Sequence, residues 1–256
     1  MGHHRLHGRL PNTVPWRRVV EKIANGSNIA NIVAATLEAA NEGLAKAKGD
    51  YGIHLTIHLL TCVVLSARES DFPYKLRQSS IQVDVPLDVF ELTAAFGEAV
   101  EEQTRRYGPR TDLGEMARLA GMGALHKQLQ SCAINLFEVT SEQVQKGVYK
   151  LSTSAGFRQL AFDFFTDFMK RFLLSHLGWE LPHHVDKTGR FANTSKHTEF
   201  IEELERHCSE KVVIVKTYAE EWYSKQNFLG GITLKKAGAF ADHCMKKFEA
   251  HLKVGV

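Results

Sequence analysis

Proline is almost missing from the second half of this chain. The six prolines stand at positions 11, 15, 73, 86, 109 and 182, with none between 110 and 181 and none after 182. Proline breaks helices from within, so such stretches admit long ones. Cysteine is scarce as well. Cys62, Cys132, Cys208 and Cys244 lie far apart and no two form a C-x-x-C pair, which speaks against a disulfide framework and suits reduced thiols. Long apolar runs are also lacking. The most apolar stretch, Ile53 to Leu65, contains His54, Thr56, His58 and Thr61, whereas a membrane span needs about 20 apolar residues. The opening Met-Gly-His-His-Arg-Leu-His leads into no apolar segment, so no signal peptide and no membrane partner are expected, and the expected location is the cytoplasm. Nor does one sign of charge prevail. The 32 Lys+Arg against 29 Asp+Glu leave +3, too little for a dedicated nucleic-acid binder.

What is present is ordinary in amount and uneven in placement. A chain of 256 residues with 44% hydrophobic and 24% charged residues can bury a full core without disulfides or metal. Residues 1–24 hold Arg5, Arg9, Arg17, Arg18 and Lys22 against Glu21, a balance of +4. Residues 233–256 hold Lys235, Lys236, Lys246, Lys247 and Lys253 against Asp242 and Glu249, or +3. The middle therefore carries −4. Basic ends on a mildly acidic body are the place to seek any contact with nucleic acid, and such a contact would weaken with salt.

Apolar spacing predicts helices along most of the chain. A first helix starts at Pro15 and stops at Asn25-Gly26. Ser27 caps a second, with Ile29, Val33, Leu37, Ala40 and Leu44 along one face. Tyr51 to Arg68 is apolar nearly all round, as a helix buried on most sides would be. A loop surrounds Pro73, Ile81 to Val85 reads as extended, and Pro86 opens a helix that runs to Tyr107. Thr111 or Asp112 caps the next, which carries a small-residue stripe of Gly114, Ala117, Gly121 and Ala124. Ser141 and Ser154 cap two more, the second with an aromatic face from Phe157 to Phe172. Ser195 begins the longest candidate, through Trp222, and Thr233 caps the last. The expectation is an all-α fold: a multi-helix bundle of eight or nine helices with a long C-terminal α-hairpin. Residues 1–177 form a helical body with a basic N-terminal segment, 178–194 a long loop, and 195–256 the hairpin.

Few residues propose chemistry. His54 and His58 share a helical face at metal-ligand spacing, but Leu55 stands where a zinc hydrolase needs Glu. His207-Cys208 and His243-Cys244 each offer one ligand to a given site, and the cysteines read better as small core residues. No metal and no cofactor are expected. The loop from Gly178 to Thr194 exceeds what a bundle connection needs. It carries Trp179, His183, His184, Asp186, Lys187 and Arg190, a set able to serve acid–base work or phosphate binding unless Trp179 and Phe191 merely pin it. At the C-terminal turn, Gly230-Gly231 precedes Lys235 and Lys236 at a helix start, an arrangement open to anions. Arg17 and Arg18 are the binding candidates of the basic N-terminal segment.

One short motif resembles a known family. Arg171-Phe172-Leu173-Leu174-Ser175-His176, with Arg190 to His197 as a looser second instance, is similar to the Arg-x(4–6)-His motif of the HEPN superfamily of all-α ribonucleases and toxins. The resemblance implies that His176 acts as general acid or base on an RNA 2′-hydroxyl. It implies that Arg171 holds the scissile phosphate, with the site shared across a dimer. Phe172 departs from the polar residue those motifs favour after the arginine. With no larger catalytic constellation in the chain, the leading expectation is a non-catalytic helical subunit that assembles with itself or with other proteins. The alternatives are a metal-independent HEPN-like ribonuclease or toxin, and a nucleic-acid-binding accessory subunit that uses the basic termini.

Overall fold

The computed structural model describes residues 10–132, 140–185, 190–229 and 231–253. Arg5, Arg9, Asp186, Lys187 and Gly230 lie outside the described residues, as do the side chains of Cys132, Phe248 and Leu252. Helix starts are set by side-chain caps. Asn28, rather than Ser27, caps α2 (Ile29–Ala39), its Oδ1 accepting from the Asn31 N–H at 2.9 Å. Before it, α1 (Val14–Ala24) carries Pro15 in its first turn and turns Trp16, Val19 and Ile23 inward. The face expected to run on to Leu44 is interrupted at Ala40, and a separate α3 (Asn41–Ala47) follows. Asn41 competes for backbone hydrogen bonds and favours a helix start over an interior. Gly49, at φ +85°, then redirects the chain.

Asp50 caps α4 (Tyr51–Ser66), accepting from the Ile53 N–H at 3.0 Å and from Thr111 Oγ1 at 2.7 Å. The segment around Pro73 is a helix, α5 (Phe72–Gln78), because Asp71 caps it and Pro73 sits in the first turn, where its missing N–H costs nothing. Ile81 and Val83 are buried in an extended connection that forms no strand. Asp88 caps α6 (Val89–Tyr107), so Pro86 precedes this helix instead of opening it. Thr111 caps α7 (Asp112–Cys132) through the Gly114 N–H at 2.8 Å. A capping box on Thr140 and Gln143 starts α8 (Ser141–Leu151), and Thr153 starts α9 (Ser154–Leu177), at 24 residues the longest of the described helices. A 3-10 turn, Leu181–His184, precedes α10 (Thr194–Val212), α11 (Ile214–Phe228) and α12 (Leu234–Lys253).

All twelve α-helices and the one turn make the described chain all-α, without a strand. Two details differ from expectation. The helix count exceeds nine, and the first arm of the C-terminal hairpin is two helices, split at Val213. Val212, Val213, Ile214 and Val215 form a β-branched run there, which helices tolerate poorly. Both α10 and α11 pack on α9, whereas α12 packs on α4.

The core is organised by α4 and α9, with α7 packed against both. The small-residue stripe of α7 makes this possible. A Cβ on Gly52 would lie 2.6 Å from Gly114 Cα, and one on Gly121 would lie 2.8 Å from Thr56 Cγ2 and 3.0 Å from Phe96. Backbones therefore touch where α4 and α7 cross. The aromatic face of α9 buries Phe157, Phe164, Phe168 and Phe172, each such side chain contributing roughly 1.5–3 kcal/mol. Phe157 stacks on Tyr223 of α11 at 4.2 Å, and Trp222 stacks on Phe240 of α12 at 4.3 Å. No described helix is long and apolar enough to cross a membrane.

Candidate functional site

The long loop leaves α9 at Gly178 and folds back on α1. Leu181 and Phe191 are buried and hold it, while Trp179 is exposed and does not. The Phe191 N–H donates to the His184 carbonyl at 2.9 Å, closing the loop on itself. Arg190 lies behind, over the rings of Phe191 and Phe200 at 5.6 and 5.1 Å, and its Nη1 donates to the carbonyl of Ile23 at the end of α1. Burial lowers its guanidinium below the ordinary value, although a guanidinium starts so high that it stays charged.

Between α1 and this turn opens a cleft of about 650 Å³. Leu10, Pro11 and Val20 give it an apolar side, and Arg17, Glu21, Glu180 and His183 line it with polar groups. Arg17 and Glu21 are exposed, whereas Glu180 is buried. His184 sits within the turn, its Nε2 at 3.0 Å from Glu180 Oε1. Two candidates from distant parts of the sequence, Arg17 and His183, thus line one cleft, with His184 and Arg190 in the structure beside it. Asp186 falls outside the described residues. Sequence reasoning passed over Glu180 and Glu21, though both had a signal: each lies four residues from a named candidate, Glu180 before His184 and Glu21 after Arg17, the spacing at which helical side chains meet.

The other candidates stay apart. Arg18 pairs loosely with Glu38 at 3.5 Å on the surface. Lys236 Nζ donates to the Gly231 carbonyl at 2.8 Å, closing the turn ahead of α12, and Lys235 is exposed. Arg171 and His176 stand five residues apart on α9, about 140° around the helix, and each has its own company. Arg171 Nε donates to Asp167 Oδ2 at 2.8 Å on the side facing Glu115 of α7. The His176 ring packs 5.0 Å from Trp16 of α1 and 5.2 Å from Phe172. Burial holds this imidazole below its ordinary value, so it is neutral at neutral pH.

His54, His58 and the thiols of Cys62, Cys208 and Cys244 are held within the fold. His54 Nε2 lies 2.7 Å from Asp242 Oδ1, tying α4 to α12. His58 Nε2 faces Cys62 Sγ at 3.8 Å, but burial lowers the imidazole and raises the thiol, which keeps both neutral. Cys208 is buried and pushed up to about 12, and Cys244 is raised by burial too. Among the described residues no group of three or more His, Cys, Asp or Glu side chains is placed to hold a metal. No protein-family model, curated protein or solved structure matches the chain.

Proposed function

We propose that the chain is a non-catalytic helical subunit that assembles with itself or with other proteins. The observation that carries this reading is the tip of α11, where Phe228 is 90% exposed and its neighbour Leu229 is 55% exposed. Leaving such a side chain in water forgoes roughly 1.5–3 kcal/mol of burial, and adjacent bare apolar residues of this size suit the centre of an interface. Phe90 and Tyr107, at opposite ends of α6, add further exposed aromatic surface. The histidines that acid–base chemistry would recruit already have work: His54 with Asp242, His184 with Glu180, His176 with Trp16, and His126 against Phe90.

Light scattering and native mass spectrometry of the purified chain test the proposal. A mass above that of one chain, or a stoichiometric companion, is expected. Phe228→Glu should move self-assembly to at least tenfold higher concentration. A strict monomer at every concentration, with no companion, overturns the reading.

A further inference from the structure

Several cations in the body of the molecule pair with carboxylates. Arg158 pairs with Glu220 at 2.7 Å, Lys170 with Glu205 at 2.7 Å, and Arg171 with Asp167 at 2.8 Å. On α12, Lys235, Lys246 and Lys247 are exposed, and none forms an ion pair with a described carboxylate. Asp242, on the same helix, is turned toward α4, where it meets His54 Nε2 at 2.7 Å and accepts from the Gly49 N–H at 2.9 Å. Its carboxylate is engaged by His54 and Gly49 rather than by the lysines.

The lysines frame an aromatic pair. His243 stacks on Tyr218 of α11 at 4.1 Å with an interplanar angle of 28°, and both rings are half-buried. Partial burial, then the charges of Lys247 and Lys246, hold the His243 imidazole below its ordinary value. The ring is therefore uncharged at neutral pH and lies in the field of Lys247 and Lys246. From Lys235 to Lys246 the helix rises about 16 Å, so the face presents cations along a line with a flat π-surface between them.

We propose that this exposed face of α12 binds single-stranded nucleic acid, with phosphates on Lys235, Lys246 and Lys247 and a base against the His243 ring. The chemistry is that of a cationic track with a stacking platform. A lipid surface fits less well. The apolar side of α12 (Ala237, Phe240, Ala241, Cys244 and Met245) is buried in the fold, and Ala239 is the exposed apolar residue left between Lys235 and Lys247. An interfacial helix needs a bare apolar face. This inference is independent of the assembly reading, which rests on the tip of α11.

Fluorescence anisotropy of the full chain with a labelled oligouridylate tests it. Three phosphate contacts on a single strand give a slope near −2 in log K against log salt, so binding should weaken about 20-fold between 50 and 200 mM salt. The triple variant Lys235→Glu, Lys246→Glu, Lys247→Glu should bind at least tenfold more weakly at the lower salt and lose the slope. The triple Lys→Gln variant should fall between it and the parent chain, with an unchanged circular dichroism spectrum. His243→Ala should weaken binding about fivefold or more while keeping the salt slope, because stacking is not an ionic contact. No binding at 50 mM salt overturns the proposal, as does a flat salt response. So does a loss of binding in Arg17→Glu, Arg18→Glu that the α12 variants do not show. Capture of the chain by phosphatidylserine vesicles without binding of the oligonucleotide overturns it in favour of a membrane.

Discussion

The crossing of α4 and α7 and the cleft between α1 and the 181–184 turn are built from opposite materials. At the crossing, Gly52 and Gly114 bring two backbones so close that a single methyl would stand 2.6 Å from a Cα atom. In the cleft about 650 Å³ is left between Leu10, Arg17, Glu21, Glu180 and His183. The crossing removes side chains so that helices can meet. The cleft leaves open space between α1 and the turn, with polar groups on one side and apolar ones on the other. Shape therefore dictates the residues in the first region. In the second, shape leaves the residue types open, and stability gives little reason to have Arg17 and Glu21 there.

The largest effect should break the crossing. Gly52→Val places branched atoms against the Gly114 backbone, where neither helix can yield without shifting the core. A loss of about 3 kcal/mol or more is expected by chemical denaturation, enough to leave much of a marginal domain unfolded. A variant as stable as the parent would mean that the two backbones do not touch. Asp50→Ala comes next. It removes the α4 cap and strands Thr111 Oγ1, which otherwise donates to Asp50 Oδ2 at 2.7 Å. A cap and a part-buried hydrogen bond together predict about 2 kcal/mol, read from the same denaturation curve.

The difference between the regions also explains what could be read from sequence. The Gly114, Ala117, Gly121, Ala124 stripe announced close approach because small residues at helical spacing have one mechanical use. The all-α class followed from apolar periodicity and missing proline for the same reason. Local competition was harder to see. Ser27, Ser141 and Ser154 each stood next to a better-placed cap, Asn28, Thr140 or Thr153, and adjacent cap formers carry the same signal. Pro73 looked like a loop because a proline that starts a short helix and one that ends a helix are the same letter. The cleft was half legible. Arg17 stood out for its charge and His183 for its place in a loop suited to acid–base work or phosphate binding, but their meeting joins residues far apart in the chain, which no periodicity encodes. The same limit applies to Arg171 and His176: their spacing matched a motif, while the fold directs them to Asp167 and Trp16.

A smaller effect should appear where the wall of the cleft meets the core. His176 packs against Trp16, and burial sets its folded-state pKa below the ordinary value near 6.5. The unfolded chain then takes the proton more readily than the folded one. Stability from this site is intact above the unfolded value and is lost as pH falls through the window beneath it. His58, His207 and His243 are lowered as well and act in the same direction. The melting temperature should fall between pH 7 and pH 5, and His176→Gln should make that fall shallower without abolishing it. An unchanged pH profile in the variant would show that the imidazole is freely solvated.

The smallest effect sharpens the comparison most. Arg17 and Glu21 are exposed and line an open cleft. Replacing both by Ala should change folding stability by no more than about 0.5 kcal/mol, as for surface positions away from caps and cores. The measurement is the same denaturation midpoint used for Gly52→Val. A near-zero result means that the fold does not need the cleft's charged walls. Any change in binding produced by these two substitutions then reflects a direct interaction with whatever enters the cleft, and not a disturbed fold. A loss of 1 kcal/mol or more would reverse that assignment: Arg17 and Glu21 would belong to the material that holds α1 to the turn, and the two regions would differ in openness alone.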